Sequence, residues 1–203
     1  MKKLYLLVLL VSFEQISLAT SQAPAVTPAG MFVTVNGQTD LKNKQYHALQ
    51  INGAATLLDV NVKTDLNING SATAQRVTCK TLHVNGSYEG GILQTESLQC
   101  NGTFVGSLVT VTANAFFLGG VQIRKGTLHN VTVASTIPLF IATNILGSIT
   151  IKKVLPETTI QILELKDRTV VSGDVIFEQA GEVHFYNGSQ IKGKVVNGTI
   201  IQK

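Results

Sequence analysis

The chain has 203 residues, a formal net charge of +4 and a 44% hydrophobic composition that contains no Trp. Because the positive charge is small and is spread along the chain without a basic run, it does not support nucleic acid binding, and no nucleic acid partner is predicted. The 18 Gly residues beside only 4 Pro residues indicate many tight turns, and the abundant Val, Ile and Thr favour strands.

The N-terminus has the pattern of an export signal of bacterial type. Two lysines precede an apolar run at 4–13, and Ser17 and Ala19 place small residues where signal peptidase reads them. Residues 1–19 are therefore predicted to be a signal peptide, and the Ala-, Pro- and Thr-rich residues 20–30 a flexible lead-in.

Two alternatives remain for this segment. Cleavage after Ala23 would leave Pro24 behind the cut, which the peptidase tolerates poorly, and an uncleaved membrane anchor would require a longer apolar run. The prediction is export to the periplasm, the cell surface or the medium, with no membrane span after signal cleavage.

A pentapeptide then recurs at a nearly fixed period. Its final glycines are separated by 16, 17, 16 and 16 residues, which indicates a repeat architecture. The five words are VTVNG at 33–37, LQING at 49–53, LNING at 66–70, LHVNG at 82–86 and LQCNG at 98–102.

Each word alternates apolar and polar residues, which is typical of a short strand with one buried face. The residues four before each glycine are Val33, Leu49, Leu66, Leu82 and Leu98, and those two before it are Val35, Ile51, Ile68, Val84 and Cys100. The polar residues between them, predicted to face outward, are Thr34, Gln50, Asn67, His83 and Gln99.

The Asn-Gly pair that ends each word is predicted to form a turn ladder, with the Asn amides hydrogen-bonded from coil to coil. The ladder residues are Asn36, Gly37, Asn52, Gly53, Asn69, Gly70, Asn85, Gly86, Asn101 and Gly102. Asn-Gly is also a hairpin signal, so an antiparallel meander or sandwich is the alternative. Because the whole unit returns to the same word in the same direction, we predict an all-β, single-stranded parallel β-helix with 16–17-residue coils.

Short apolar segments bounded by turn residues continue, less regularly, to the end of the chain. The β-helix domain is predicted to span 31–203, with irregular C-terminal coils and a cap. Residues 131–151 are apolar enough to suggest a transmembrane helix, but Pro138 and Gly147 and the β-branched content favour strands and turns.

The coil length, the Leu-x-Val-x-Gly strand endings and the Pro-containing lead-in resemble the bactofilin family over roughly 31–126. This resemblance implies a right-handed parallel β-helix that polymerises end to end without a nucleotide. Bactofilins are mostly cytoplasmic, whereas this chain is predicted to be exported. The cytoskeletal role of the family is therefore not expected to carry over with the fold.

Candidate chemical groups are few. Cys79 and Cys100 lie in adjacent coils, where they form either a disulfide or two buried small side chains. Asp59 and Asp65 share one coil without a matching carboxylate in the next. The four histidines, His47, His83, His129 and His184, lack metal-ligand spacing.

The sequence therefore predicts no catalytic site, no metal and no cofactor. The expected function is that of an exported, non-enzymatic structural or scaffold protein that associates with itself as an oligomer or filament. The alternatives are a cell-surface module that binds a glycan, a host surface or a cell-envelope component, and a polysaccharide-active β-helix enzyme.

Overall fold

The computed structural model of the chain describes residues 32–156 and 159–203, and their regular structure is entirely β. The predicted signal peptide and lead-in lie outside the described residues. The strands are β1 Phe32–Tyr46, β2 Ala48–Thr95, β3 Ser97–Leu118, β4 Val121–Ile123, β5 Gly126–Ala134, β6 Leu139–Ile141, β7 Thr143–Ile145, β8 Ile149–Ile151, β9 Gln161–Lys166, β10 Val170–Val171, β11 Val175–Phe185, β12 Gln190–Ile191 and β13 Val195–Gln202.

The strands wind into a parallel β-solenoid of about 10 turns, which confirms the predicted fold class. In the first two turns Val35 lies opposite Ile51 and Gly37 opposite Gly53. Three turns later in the chain, β2 and β3 align in the same way, with Gly86 opposite Gly102. Since every strand pairing among the described residues is parallel, the antiparallel meander is excluded.

Each turn contributes three strand segments, which stack into three walls. The first wall contains the repeated words and continues through β8. The second wall follows each ladder glycine and includes β4, β6 and β9, and the third wall includes β7, β10 and β12. The corners are so tight that pairing continues through them, which is why β2 is a single element of 48 residues.

The interior is a set of aliphatic columns that run along the solenoid. In the first wall, Leu49 and Ile51 are fully buried, and their equivalents in the following turns, Leu66, Ile68 and Leu82, are equally inaccessible. Stacked strands lie about 4.8 Å apart, so each inward side chain contacts the same column position in the turns before and after it. Burying such a side chain contributes about 1.5–3 kcal/mol, and a single turn has too few of them to fold alone.

An aromatic cluster interrupts the aliphatic interior, with Tyr88 and Phe104 in the second wall and Phe117 in the first. The Tyr88 and Phe104 rings lie parallel with centroids 5.1 Å apart, and Phe117 packs against Phe104 at 5.4 Å. A glycine two residues after each of the first two rings, Gly90 and Gly106, leaves the space the ring occupies, because a Cβ there would lie 2.4 Å and 3.0 Å from ring carbons. Large and small residues therefore alternate to fill the same cross-section.

The later turns are longer than the predicted 16–17 residues. Ile149 lies opposite Val175, a spacing of 26 residues, and Val175 lies opposite Val195, a spacing of 20. The first of these includes the connection between Ile151, where β8 ends, and Gln161, where β9 begins. The regular words that revealed the early coils are absent here, and the extra length gave no periodic signal.

Gln161 links the start of β9 to Ser135 and Lys152. Its side chain is fully buried, and its Nε2 donates hydrogen bonds to the carbonyl oxygens of Ser135 at 2.9 Å and Lys152 at 2.8 Å. The apolar stretch at 131–151 holds strands and turns, as expected. Within the described parts of the chain, no helix is long and apolar enough to cross a membrane.

Candidate functional site

The Asn ladder is the most regular polar feature of the surface. Asn52 Nδ2 donates to Asn36 Oδ1 at 2.8 Å, Asn69 Nδ2 to Asn52 Oδ1 at 3.0 Å, and Asn85 Nδ2 to Asn69 Oδ1 at 3.0 Å. Asn101 forms no such bond with Asn85 among the described contacts. The ladder thus links four turns, because an amide both donates and accepts and can repeat along a stack.

The glycines beside the Asn ladder form the inner edge of the corner. Gly53, Gly70, Gly86 and Gly102 have φ between +133° and +138°, a region open to glycine alone. The Asn residues of these words are not in the left-handed region, so the glycine makes the turn and the asparagine remains extended, with its amide in the stack.

Replacing Asn69 by alanine is expected to lower the free energy of unfolding by about 1 kcal/mol, since two ladder hydrogen bonds are lost while water can reach the freed groups. Asn101→Ala is the matched control, since the same substitution there removes no amide bond to a neighbouring turn, and we expect a change near zero. Chemical denaturation of the two variants measures the difference. Equal losses would show that the stacked amides do not stabilise the fold.

A shallow groove of about 280 Å³ runs beside the ladder on the first wall. It is lined by Asn67, His83, Asn85 and Gln99, with Val84 at its floor. One side of the groove is therefore formed by the Asn ladder. The other side is formed by the outward polar residues of the repeated words. Amides and an imidazole repeating once per turn offer alternating donors and acceptors along the solenoid axis.

The C-terminal end of the solenoid exposes residues that belong to interior columns. Ile200 lies opposite Val183, which in turn lies opposite Leu163, and both of these are fully buried, whereas Ile200 is 53% exposed. β13 pairs with β11 along one edge, and no described strand pairs with its other edge. The cap expected at this end stays a prediction, and the described residues there form the strands β12 and β13.

The two cysteines are free thiols in the interior, rather than a disulfide. Cys100 occupies the column of Val84, whereas Cys79 lies in the third wall, where its Sγ is 3.7 Å from Thr95 Oγ1. Burial raises the pKa of each thiol to about 11, because the thiolate would be desolvated.

We expect both thiols to resist alkylation in the folded chain and to react after denaturation without a reductant. With a pKa of about 11, only about one thiol in a thousand is ionised at pH 8, and the thiolate is the reactive form. Counting alkylated cysteines by mass spectrometry measures this. Two labels in denaturant alone are expected, and none would indicate an intramolecular disulfide.

The remaining sequence candidates lie apart from one another. Asp59 forms an ion pair with Arg76 at 2.7 Å. His184 is 8% exposed, and its Nε2 lies 2.7 Å from Glu182 Oε2. No three His, Cys, Asp or Glu side chains in the described regions gather as metal ligands.

One polar pair in the stack was missed from the sequence. Asn130 Nδ2 lies 3.4 Å from Asn114 Oδ1, which places a second, weaker amide contact on another column. The signal that would have found it is the spacing of 16 residues between two asparagines outside the Asn-Gly words.

Comparison of the chain with protein-family models, with curated proteins and with solved structures found no match. The chemistry of its surfaces therefore carries the functional argument.

Proposed function

We propose that this chain is an exported, non-enzymatic structural protein that assembles end to end through the open ends of its solenoid. The observation that carries the proposal is Ile200, an interior-column residue that is 53% exposed at the last described turn. Export is expected from residues 1–19, and end-to-end association is also what the resemblance to the bactofilins implies.

The first turn supplies the complementary surface. Val33 and Val35 belong to columns that are fully buried one turn later, yet they are only half-buried, and Phe32 is 59% exposed. A second copy placed head to tail would continue the same columns with strands in the same direction. The occupant that fits both ends is therefore another copy of this chain.

Charge predicts how this association depends on salt. The last turns carry Lys192, Lys194 and Lys203 without an acidic residue between 190 and 203, and residues 32–47 hold two lysines against one aspartate. Since both ends are net positive, repulsion opposes docking, and screening should relieve it. We expect association to strengthen between about 20 mM and about 500 mM salt.

Sedimentation velocity of the purified chain over a range of concentrations tests the proposal. Ile200→Lys is expected to leave a monomer, because it places a charge in an apolar contact. Leu146→Lys is the matched control, because Leu146 is 56% exposed but lies in the middle of the solenoid, and this variant should still associate. A monomer at every concentration, or identical behaviour of the two variants, would reject the proposal.

A second candidate function is glycan binding along the groove beside the Asn ladder. The polar residues that line it repeat once per turn, which suits a ligand that is itself a repeating polymer. A glycan array should then give binding that His83→Ala abolishes and that His129→Ala, an exposed histidine outside the groove, leaves intact. Absence of binding, or equal loss in both variants, would remove this candidate.

A further inference from the structure

A second concavity lies on the opposite side of the solenoid, at the corner between the second and third walls in turns seven to nine. It encloses about 590 Å³ and is lined by Ala142, Asn144, Asp167, Arg168 and Asn187. This cleft shares no residue with the groove beside the Asn ladder or with either open end. Its lining combines a guanidinium, a carboxylate and two carboxamides.

The backbone around the cleft is held in an unfavourable conformation. Ala142, Asp167, Arg168 and Asn187 all have φ between +44° and +62°, in the left-handed region that side chains disfavour. In the first two turns the same corner uses one left-handed residue each, Asn43 and Asp59. In those two turns the left-handed position of the corner is therefore occupied by Asn or Asp, which tolerate this conformation.

Ala142 and Arg168 depart from that rule, and Arg168 does so with a long charged side chain. Asp167-Arg168 and Asn187-Gly188 occupy equivalent positions in successive turns, since Arg168 N donates to Asn187 O at 3.1 Å and Asn187 Nδ2 to Asp167 Oδ1 at 2.9 Å. The later turn places a glycine, with φ +74°, where the earlier one has arginine with φ +62°. The fold would accept glycine at 168, yet the chain keeps a long cationic side chain there.

The Arg168 guanidinium is not bound by any described residue. Across the described parts of the chain, its guanidinium has no ion pair or hydrogen bond, and the side-chain amide of Asn144 in the same cleft has none either. Both residues are exposed, and their free donors border the cleft. A residue in a disfavoured conformation whose charged group has no partner in the fold makes this position a candidate binding site.

We propose that this cleft binds an acidic oligosaccharide whose sugar units carry a carboxylate, with Arg168 as the residue that recognises the carboxylate. A guanidinium binds a carboxylate through two parallel hydrogen bonds, and carboxamides serve sugar hydroxyls as donors and acceptors. Asp167 is already held by Asn187 and accepts from a hydroxyl with its remaining oxygen.

Isothermal titration with oligomers of glucuronate, galacturonate and mannuronate tests the inference, with the corresponding neutral oligosaccharides as comparison. We expect at least one uronate oligomer to bind and its neutral counterpart to bind at least about tenfold more weakly. Arg168→Gly should weaken uronate binding by at least about tenfold. The thermal midpoint of this variant should rise by about 2 °C, because glycine relieves the left-handed strain.

Arg124→Ala is the control for general attraction, because Arg124 is exposed and lies outside the cleft. This variant should bind the uronate as the original chain does. Three results would overturn the inference: no uronate binding, equal binding of uronate and neutral oligomers, or equal weakening by Arg168→Gly and Arg124→Ala. None of them bears on end-to-end assembly, since the cleft lies on the side of the solenoid.

Discussion

Replacement of Gly86 by alanine is expected to lower the free energy of unfolding by more than about 3 kcal/mol, enough to leave much of the chain unfolded. Gly86 has φ +133°, and a Cβ added there would lie 2.0 Å from the carbonyl oxygen of Gly70 in the preceding turn. That contact is with backbone, so only displacement of one turn relative to the next can relieve it. The strand pairing of the first wall would be lost together with the corner.

Gly37→Ala is the matched control for this substitution. Gly37 belongs to the same ladder and has φ +84°, but no atom lies within 4 Å of the Cβ it would acquire. Only the conformational strain remains, and the expected loss is about 1–2 kcal/mol. Denaturant unfolding followed by circular dichroism measures both variants. Similar losses would show that the close approach of turns is not what requires glycine.

Truncation of Phe104 to alanine has the second largest expected effect, a loss of about 3–5 kcal/mol. The Phe104 ring is fully buried, stacks on Tyr88 and contacts the tilted ring of Phe117, so its removal leaves a cavity that Gly106 beside it cannot fill. Since each turn of a repeat protein depends on its neighbours, the loss should affect the turns on both sides.

Phe32→Ala supplies the comparison for Phe104→Ala. Phe32 is 59% exposed in the first described turn, and its truncation should change the free energy of unfolding by less than about 1 kcal/mol. Hydrogen exchange would further locate the effect of Phe104→Ala, with protection lost first in the turns that hold Tyr88 and Phe117. A small, local change after truncation of Phe104 would contradict the account of the aromatic cluster.

The regular half of the fold could be predicted because one residue type does one task at each position. The spacing of Gly53 and Gly70 gave the coil length, and the alternation around Ile51 gave the buried face. Asn36 to Asn85 formed the amide stack that their spacing predicted. In each case, residues one period apart in the sequence are in contact in the structure, so the spacing alone identifies which residues are neighbours.

The irregular half could not be predicted in the same way. The sequence between β8 and β9 has no period, and the hydrogen bonds of Gln161 are made to carbonyl groups nine and 26 residues away. The cleft at Arg168 could not be predicted, because an arginine in the sequence does not indicate a left-handed corner as a glycine does. For Cys79 and Cys100, the sequence left two alternatives, a disulfide or two buried thiols. The two residues lie in different columns, and the distance between them is known only once the arrangement of the walls is known.

The direct contact of each turn with only the turns beside it has a consequence for the length of this protein. Joining Gly70 directly to Ser87 would remove one full unit, yet every remaining column would meet an equivalent residue. The body would become shorter by about 4.8 Å and keep its width. Duplication of a unit would lengthen it by the same step, so gene-level copying or loss of such units can adjust the reach of the molecule while its cross-section stays constant.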